Sequence, residues 1–182
     1  MNRAEALARG GFLAGVLDIT TTELADELVG GVLSAGPDRL TAAGAAGLPQ
    51  VVSLGALDMV NFGPRETVPE KFDDRNIYVH NPTVTLMRTT REESGELGRM
   101  IGRKLSAAEG PTALFVPLKG VSMIAVEGQP FHDAAADEAL FAALRETVDG
   151  SVEVHELDTD INDPEFAVAM ADRLHALIQE RA

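Results

Sequence analysis

Val16-Leu17-Asp18-Ile19-Thr20-Thr21-Thr22-Glu23-Leu24-Ala25-Asp26-Glu27-Leu28-Val29-Gly30-Gly31 is the stretch whose reading decides the fold class. A short apolar run ending at Asp18 reads as a buried strand, and three threonines turn directly into a helix. Thr20 and Glu23 have the spacing of a capping box, in which each side chain satisfies an orphan N–H at the helix start. A strand that feeds a helix N-terminus through hydroxyls is where α/β proteins hold anions, because unpaired N–H groups and the positive end of the helix dipole converge there. The plainer role of the threonines is the cap alone, the commoner use of such residues.

Outward from this stretch, strand and helix signals alternate. Met1 to Arg9 reads as a helix stopped by Gly10-Gly11, and Phe12 to Leu17 as the first strand. The helix from Thr21 to Leu33 buries Leu24, Leu28 and Val32 at a four-residue spacing. Arg39 to Ala46 reads as a short helix closed by Gly47, and Pro49 to Leu54 as the second strand. From Gly55 to about Thr89 no helical periodicity is sustained, and a connection this long is usually functional or partly structured. Ile77-Tyr78-Val79 and Val84-Thr85-Leu86 read as short extended pieces. Asp58 to Phe62 is apolar for a loop and is expected to meet a second subunit.

Thr90 and Glu93 form a second capping box, opening a helix to Leu105 that buries Leu97, Met100, Ile101 and Leu105. Thr112 to Val116 is the third strand. Asp133 caps a helix from Ala134 to Val148, and Val152 to Leu157 is the fourth strand. Asp163 caps the last helix, with Pro164 at its first position and Phe166, Met170, Leu174 and Leu177 inward. Strands alternating with helices give an α/β fold: a mostly parallel sheet with helices on both faces, a Rossmann-like three-layer sandwich formed by residues 1–182 as a single domain.

Composition narrows the partners. A formal net charge of −14 opposes encounter with nucleic acid or an anionic membrane. The absence of cysteine excludes disulfides and thiolate chemistry. Met1 to Gly10 lacks the apolar core of a signal peptide, and no apolar run reaches the roughly 20 residues needed to span a bilayer. A cytoplasmic protein is expected.

Ligands of open parallel sheets bind beyond the carboxyl ends of the strands. That rule selects Asp18 with Thr20 to Thr22, Ser53 to Asn61, Lys119 to Ser122, and Asp158 to Asp163. The dinucleotide fingerprint, the P-loop and the H-E-x-x-H zinc motif are all absent. Asp158 to Asp163 has the look of a calcium loop but has Asp163 where Gly is required and Ala169 where Glu is required, so it serves better as a turn and cap. No metal ligand is assigned. His80 can act as acid or base. Arg65, Lys71, Arg75 and Arg88 make the long connection basic, and would hold a carboxylate or phosphate if they converge. Lys119 and Ser122 flank Gly120, where backbone can approach a ligand closely and either side chain can meet a phosphate or carry catalysis.

Five stretches carry a family resemblance: Gly15 to Gly31, Gly55 to Gly63, His80-Asn81-Pro82-Thr83-Val84-Thr85-Leu86-Met87-Arg88-Thr89-Thr90, Pro117 to Ser122, and Ile161 to Phe166. Together they resemble the carboxyl-terminal half of the Tm-one-like ATP-binding family, which has many uncharacterised bacterial members. The resemblance implies a dimeric protein of two α/β halves, the amino-terminal half being absent from this sequence. It attributes the ATP site mainly to that half, so no cofactor is expected of this stretch alone and ATP of the longer protein.

The leading expectation is a dimerising domain that binds a small anionic ligand, a nucleotide or phosphometabolite, in an interdomain cleft. Its ligand-binding candidates are Asp18, Thr20, Thr21, Thr22, Asn81, Arg88, Gly120 and Ser122. Two other readings stand beside it: half of an enzyme site using His80 or Lys119 as acid, base or nucleophile, and a protein-interaction module.

Overall fold

The computed structural model describes residues 3–181. In chain order its first half comprises α1 (Arg3–Arg9), β1 (Val16–Thr20), α2 (Glu23–Val29), α3 (Ala42–Ala45), β2 (Gln50–Gly55), β3 (Met59–Phe62), β4 (Ile77–Asn81) and β5 (Val84–Arg88). The second half comprises α4 (Arg91–Ser106), β6 (Thr112–Pro117), α5 (Ala134–Thr147), β7 (Val152–Leu157) and α6 (Pro164–Arg181).

The main sheet is parallel throughout, in the order β1-β2-β6-β7. Its two inner strands are buried along their whole length, which is why both read as nearly unbroken apolar runs. Alternate side chains go to opposite faces. Val52, Leu54, Leu114 and Val116 pack with Leu24 of α2, Leu97, Ile101 and Leu105 of α4, and Leu140 and Leu144 of α5. Val51, Ala113 and Phe115 pack instead with Phe166, Met170 and Leu177 of α6. The strand order explains this division. Each strand is added on the same side of its predecessor, and right-handed crossovers that always run one way put every connecting helix on one face. The helix after the last strand closes the other. Because the order never reverses, the sheet has no switch-point crevice of the doubly wound kind.

The long connection holds a second, antiparallel sheet in the order β3-β5-β4. Ile77 to Val79 and Val84 to Leu86 are extended as expected, but Asp58 to Phe62 is not a free face. Val60 and Phe62 belong to the main core, and Phe62 packs on Phe72 with ring centroids 5.7 Å apart. The α4–α5 contact is close because Gly98 faces it: a Cβ there would lie 2.5 Å from the Leu140 carbonyl oxygen.

Several expectations in the first third of the chain are corrected. Met1 and Asn2, included in the expected first helix, lie outside the described residues. The first strand runs Val16–Thr20, starting where Val16 registers with Gln50, and Phe12 is 81% exposed. Helix α2 stops at Gly30, which takes φ +99°, so Val32 falls beyond it and is solvent-exposed. Thr20 and Glu23 form no capping box, since Thr20 ends the strand and Thr22 precedes the helix without a side-chain cap bond. Only Ala42–Ala45 of the second expected helix is α-helical; Leu40 before it takes φ +70°, its N–H donating to Glu5 Oε1 at 2.8 Å. Later elements follow the sequence closely. Thr90 and Glu93 make a complete capping box, Asp133 accepts from the N–H groups of Ala135 and Ala136, and Asp163 accepts from Glu165.

Candidate functional site

At the carboxyl end of β6 the chain leaves the sheet through Leu118-Lys119-Gly120. The Leu118 and Lys119 N–H groups donate to the carbonyls of Leu157 and Thr159, continuing the parallel pairing past the strand end. Gly120 takes φ +146°, and a Cβ there would meet Val126 Cγ1 at 2.8 Å. The segment then folds back on itself, with Ala125 N donating to Ser122 O and Phe131 N to Ile124 O. Phe131 is fully buried, the ring of Tyr78 packs edge-on against it at 6.2 Å, and Asp133 starts α5.

Between this segment and α5 lies a cleft of about 670 Å³, within the usual range for small-molecule sites. Leu118, Val126 and Phe141 supply its apolar lining; Lys119, His132 and Arg145 supply cationic or titratable groups; and Glu127, Asp137, Glu138 and Asp160 supply carboxylates. Lys119 Nζ lies 2.8 Å from Asp158 Oδ2, a pair in which both side chains are largely exposed. Arg145 reaches Glu156 at 2.6 Å and Glu138 at 3.0 Å. His132 Nδ1 lies 3.3 Å from the Ala125 carbonyl oxygen.

A buried polar cluster adjoins the cleft through Asp137. Arg88 Nη2 donates to Asp137 Oδ1 at 2.6 Å, and its Nε donates to the Phe131 carbonyl at 2.8 Å. Burial pushes the Asp137 carboxyl up, against the opposing pull of Arg88. Asp58, 1% exposed, accepts from Ser122 Oγ at 2.8 Å through Oδ2, while its Oδ1 has no partner among the described residues. Burial raises the Asp58 carboxyl to about 6, although Ser122 and the charge of Arg88 act to lower it.

The residues singled out from sequence separate into three places. Lys119, Gly120, Ser122 and Arg88 are at or just behind the cleft. Asp18, Thr20, Thr21 and Thr22 are not among its lining residues. Arg39 binds both oxygens of Asp18 and, at 3.2 Å, the Thr20 carbonyl. Thr21 Oγ1 donates to the Ser53 carbonyl at 3.2 Å, and Thr22 Oγ1 accepts from Asn61 Nδ2 at 3.0 Å. These threonines join β1 and α2 to the neighbouring strands. His80 stands exposed on β4, its ring 6.4 Å from that of Tyr78. Asn81 turns the β4–β5 hairpin, its Oδ1 accepting from Thr83 N and Oγ1. The basic side chains of the long connection do not converge on one open site: Arg65 pairs with Asp73, Lys71 and Arg75 both lie against the Phe72 ring, Arg75 also pairs with Glu93, and Arg88 pairs with Asp137. Among the described residues, no group of three or more His, Asp or Glu is arranged to hold a metal ion.

Sequence reasoning missed His132, Asp137, Phe141 and Arg145. None lies in a motif, but the irregular run from Leu118 to His132 between a strand and a helix is itself the signal of a functional connection.

Comparison with known proteins gives the family. The model described as Uncharacterised protein family (UPF0261) C-terminal domain matches residues 2–178. A UPF0261 protein of Clostridium tetani is 58% identical over 177 residues, covering 97% of this chain and 44% of that protein. A UPF0261 protein of Rhizobium meliloti is 53% identical over 167 residues, covering 91% of this chain and 42% of the relative. The ToMV resistance protein Tm-1 of Solanum lycopersicum is 44% identical over 170 residues, 92% of this chain and 22% of that protein. The chain thus spans less than half the length of these curated relatives. Among the described residues no helix is long and apolar enough to cross a membrane. With the match running from its second residue to its last helix, the chain belongs to the uncharacterised protein family UPF0261, as its C-terminal domain.

Proposed function

We propose that this domain binds a small anionic ligand, a phosphorylated metabolite or the phosphate tail of a nucleotide, in the cleft at the carboxyl end of β6. The observation that carries the reading is the position of Lys119. Its ammonium lines the cleft on the Gly120 turn and, among the described residues, pairs with the exposed Asp158. Such surface pairs are worth about 0–1 kcal/mol, so a phosphate can take the place of the carboxylate at little cost. The carboxylates of Asp137, Glu138 and Asp160 in the same cleft narrow the class. They favour a ligand that also carries hydroxyl or amino donors, such as a sugar phosphate, over a bare anion. In the longer relatives the remaining chain would close this cleft, and ATP is the nucleotide we propose for such a protein. Self-association is part of the proposal, through the open edge of β4 where Val79 is exposed.

Calorimetry with ribose 5-phosphate, AMP and ATP tests the reading. Binding that weakens about tenfold or more in Lys119→Ala, through loss of a charge-assisted contact, supports it. No heat from any of the three, or full affinity in the variant, overturns it. Light scattering of wild type and Val79→Lys tests the self-association.

A further inference from the structure

We propose that Asp58 is a positioning residue for this cleft: through Ser122 it fixes the wall that follows Lys119, residues 121–131, without reaching the cleft itself. Three observations support it. The wall is fastened at two points, to the β2–β3 turn near its start and to the antiparallel layer near its end. Near its start, Ser122 Oγ donates to Asp58 Oδ2 and Ala56 N donates to the Val121 carbonyl at 2.8 Å. Near its end, Arg88 Nε holds the Phe131 carbonyl and Asn76 Nδ2 the Pro130 carbonyl. Between the fastenings Ala125 enters the main core, while Met123 is 74% exposed and residues 127–130 are exposed, so hydrogen bonds hold what packing leaves free.

The second observation is that Ser122 works in both directions. Its Oγ also accepts from Ile124 N at 3.3 Å, so the hydroxyl that meets Asp58 sets the backbone path into Val126 and Glu127. The third is the bare Oδ1 of Asp58, buried without a donor. Buried carboxylates in a purely structural role are normally satisfied on both oxygens, and an exception calls for an explanation.

The charged groups facing Asp58 are Arg88 on β5, which favours its ionised form, and Asp137 on α5, which opposes it. Behind Asp137 stand Asp133 and His132. With burial raising the carboxyl to about 6, the hydrogen bond from Ser122 is charge-assisted at neutral pH and weakens below it. Burial outweighs that bond in setting the Asp58 carboxyl, so an opening that wets it is opposed most below pH 6, where the closed wall binds the proton.

Hydrogen exchange of the whole chain, read by mass spectrometry, tests the proposal without a ligand. Asp58→Ala and Ser122→Ala should each speed exchange across residues 121–131 by about tenfold, the scale of losing one hydrogen bond to a charged group, while α6 stays at the wild-type rate. Asp58→Asn, which keeps an acceptor for Ser122, should restore protection and remove its pH dependence between pH 5 and 7. Unchanged exchange in Ser122→Ala, or an equal loss of protection in α6, overturns the positioning role. The link to Lys119 rests on the ligand-binding reading above. An Asp58-dependent wall in a protein that binds none of the three phosphates would overturn that reading and leave the positioning role standing.

Discussion

Two buried clusters of charge sit at different corners of the main sheet, and they are built to opposite standards. At the β1 edge, Arg39 is 4% exposed and bonds both oxygens of Asp18, with Glu23 at 3.4 Å and Glu5 at 3.6 Å. Glu5 in turn accepts from the N–H groups of Leu40 and Ala42. Burial opposes the Arg39 charge, yet Asp18 and its companions hold it firmly protonated. At the carboxyl end of β6, Asp58 has one hydroxyl partner and one bare oxygen. Satisfied networks lock a structure, and partly satisfied ones are where function is paid for in stability. The first cluster is a lock for α1, β1 and α3; the second adjoins a cleft.

The sharpest way to break the comparison is at Arg39. Arg39→Ala leaves three carboxylates facing one another in a largely buried space. It should cost about 3–5 kcal/mol of unfolding free energy, as removing one partner of a buried ion pair does, measured by urea denaturation with folded-state ligand affinity unchanged. A loss under about 1 kcal/mol, the size of an exposed pair, would mean that the cluster is not a lock.

The next test contrasts the two aspartates. Asp58 has a folded value near 6 against an ordinary 3.8, so folding binds a proton between those values. The stability it contributes is fully present below 3.8 and is lost as pH rises through 6, a change of about 3 kcal/mol. Asp58→Asn should remove that component, becoming more stable relative to wild type at pH 7 than at pH 4. Asp18→Asn should be destabilising at pH 7, because Arg39 loses its bidentate acceptor. Urea titrations at the two pH values give both signs, and a shared sign would erase the distinction between the clusters. The smallest effect is expected at Lys119, where Lys119→Ala should shift stability by less than about 0.5 kcal/mol. A larger loss in thermal unfolding would make Lys119 structural.

The sequence was most legible where local chemistry decides the outcome. Thr90 with Glu93, Asp133, and Asp163 before Pro164 each cap a helix where the spacing says they should, and β2 and β6 announce themselves because burial on both faces leaves only apolar choices. Distant partners decide the rest. Thr20 has the spacing of a cap with Glu23, but it ends β1 while Asn61 of β3 takes the Thr22 hydroxyl, and Arg39 leaves the helical pattern to reach Asp18. β3 was hidden because an apolar loop and a buried short strand look alike until β5 is placed beside it. Of the candidate site, Lys119, Gly120 and Ser122 were visible from the strand-end rule. Asp137 and Arg145 were not, since their spacing on α5 is that of ordinary helix polar residues and only the returning segment before α5 makes them cleft walls.

In this domain the β6 end is proposed as the binding region and the threonine turn as scaffold. The most direct measurement is an amide NMR titration with ribose 5-phosphate. Shifts are expected at Lys119 to Ser122 and at Ala134 to Glu138, with Asp18 to Thr22 unmoved. Shifts centred on Thr20 to Thr22, or none at Lys119 and Gly120, would contradict that assignment.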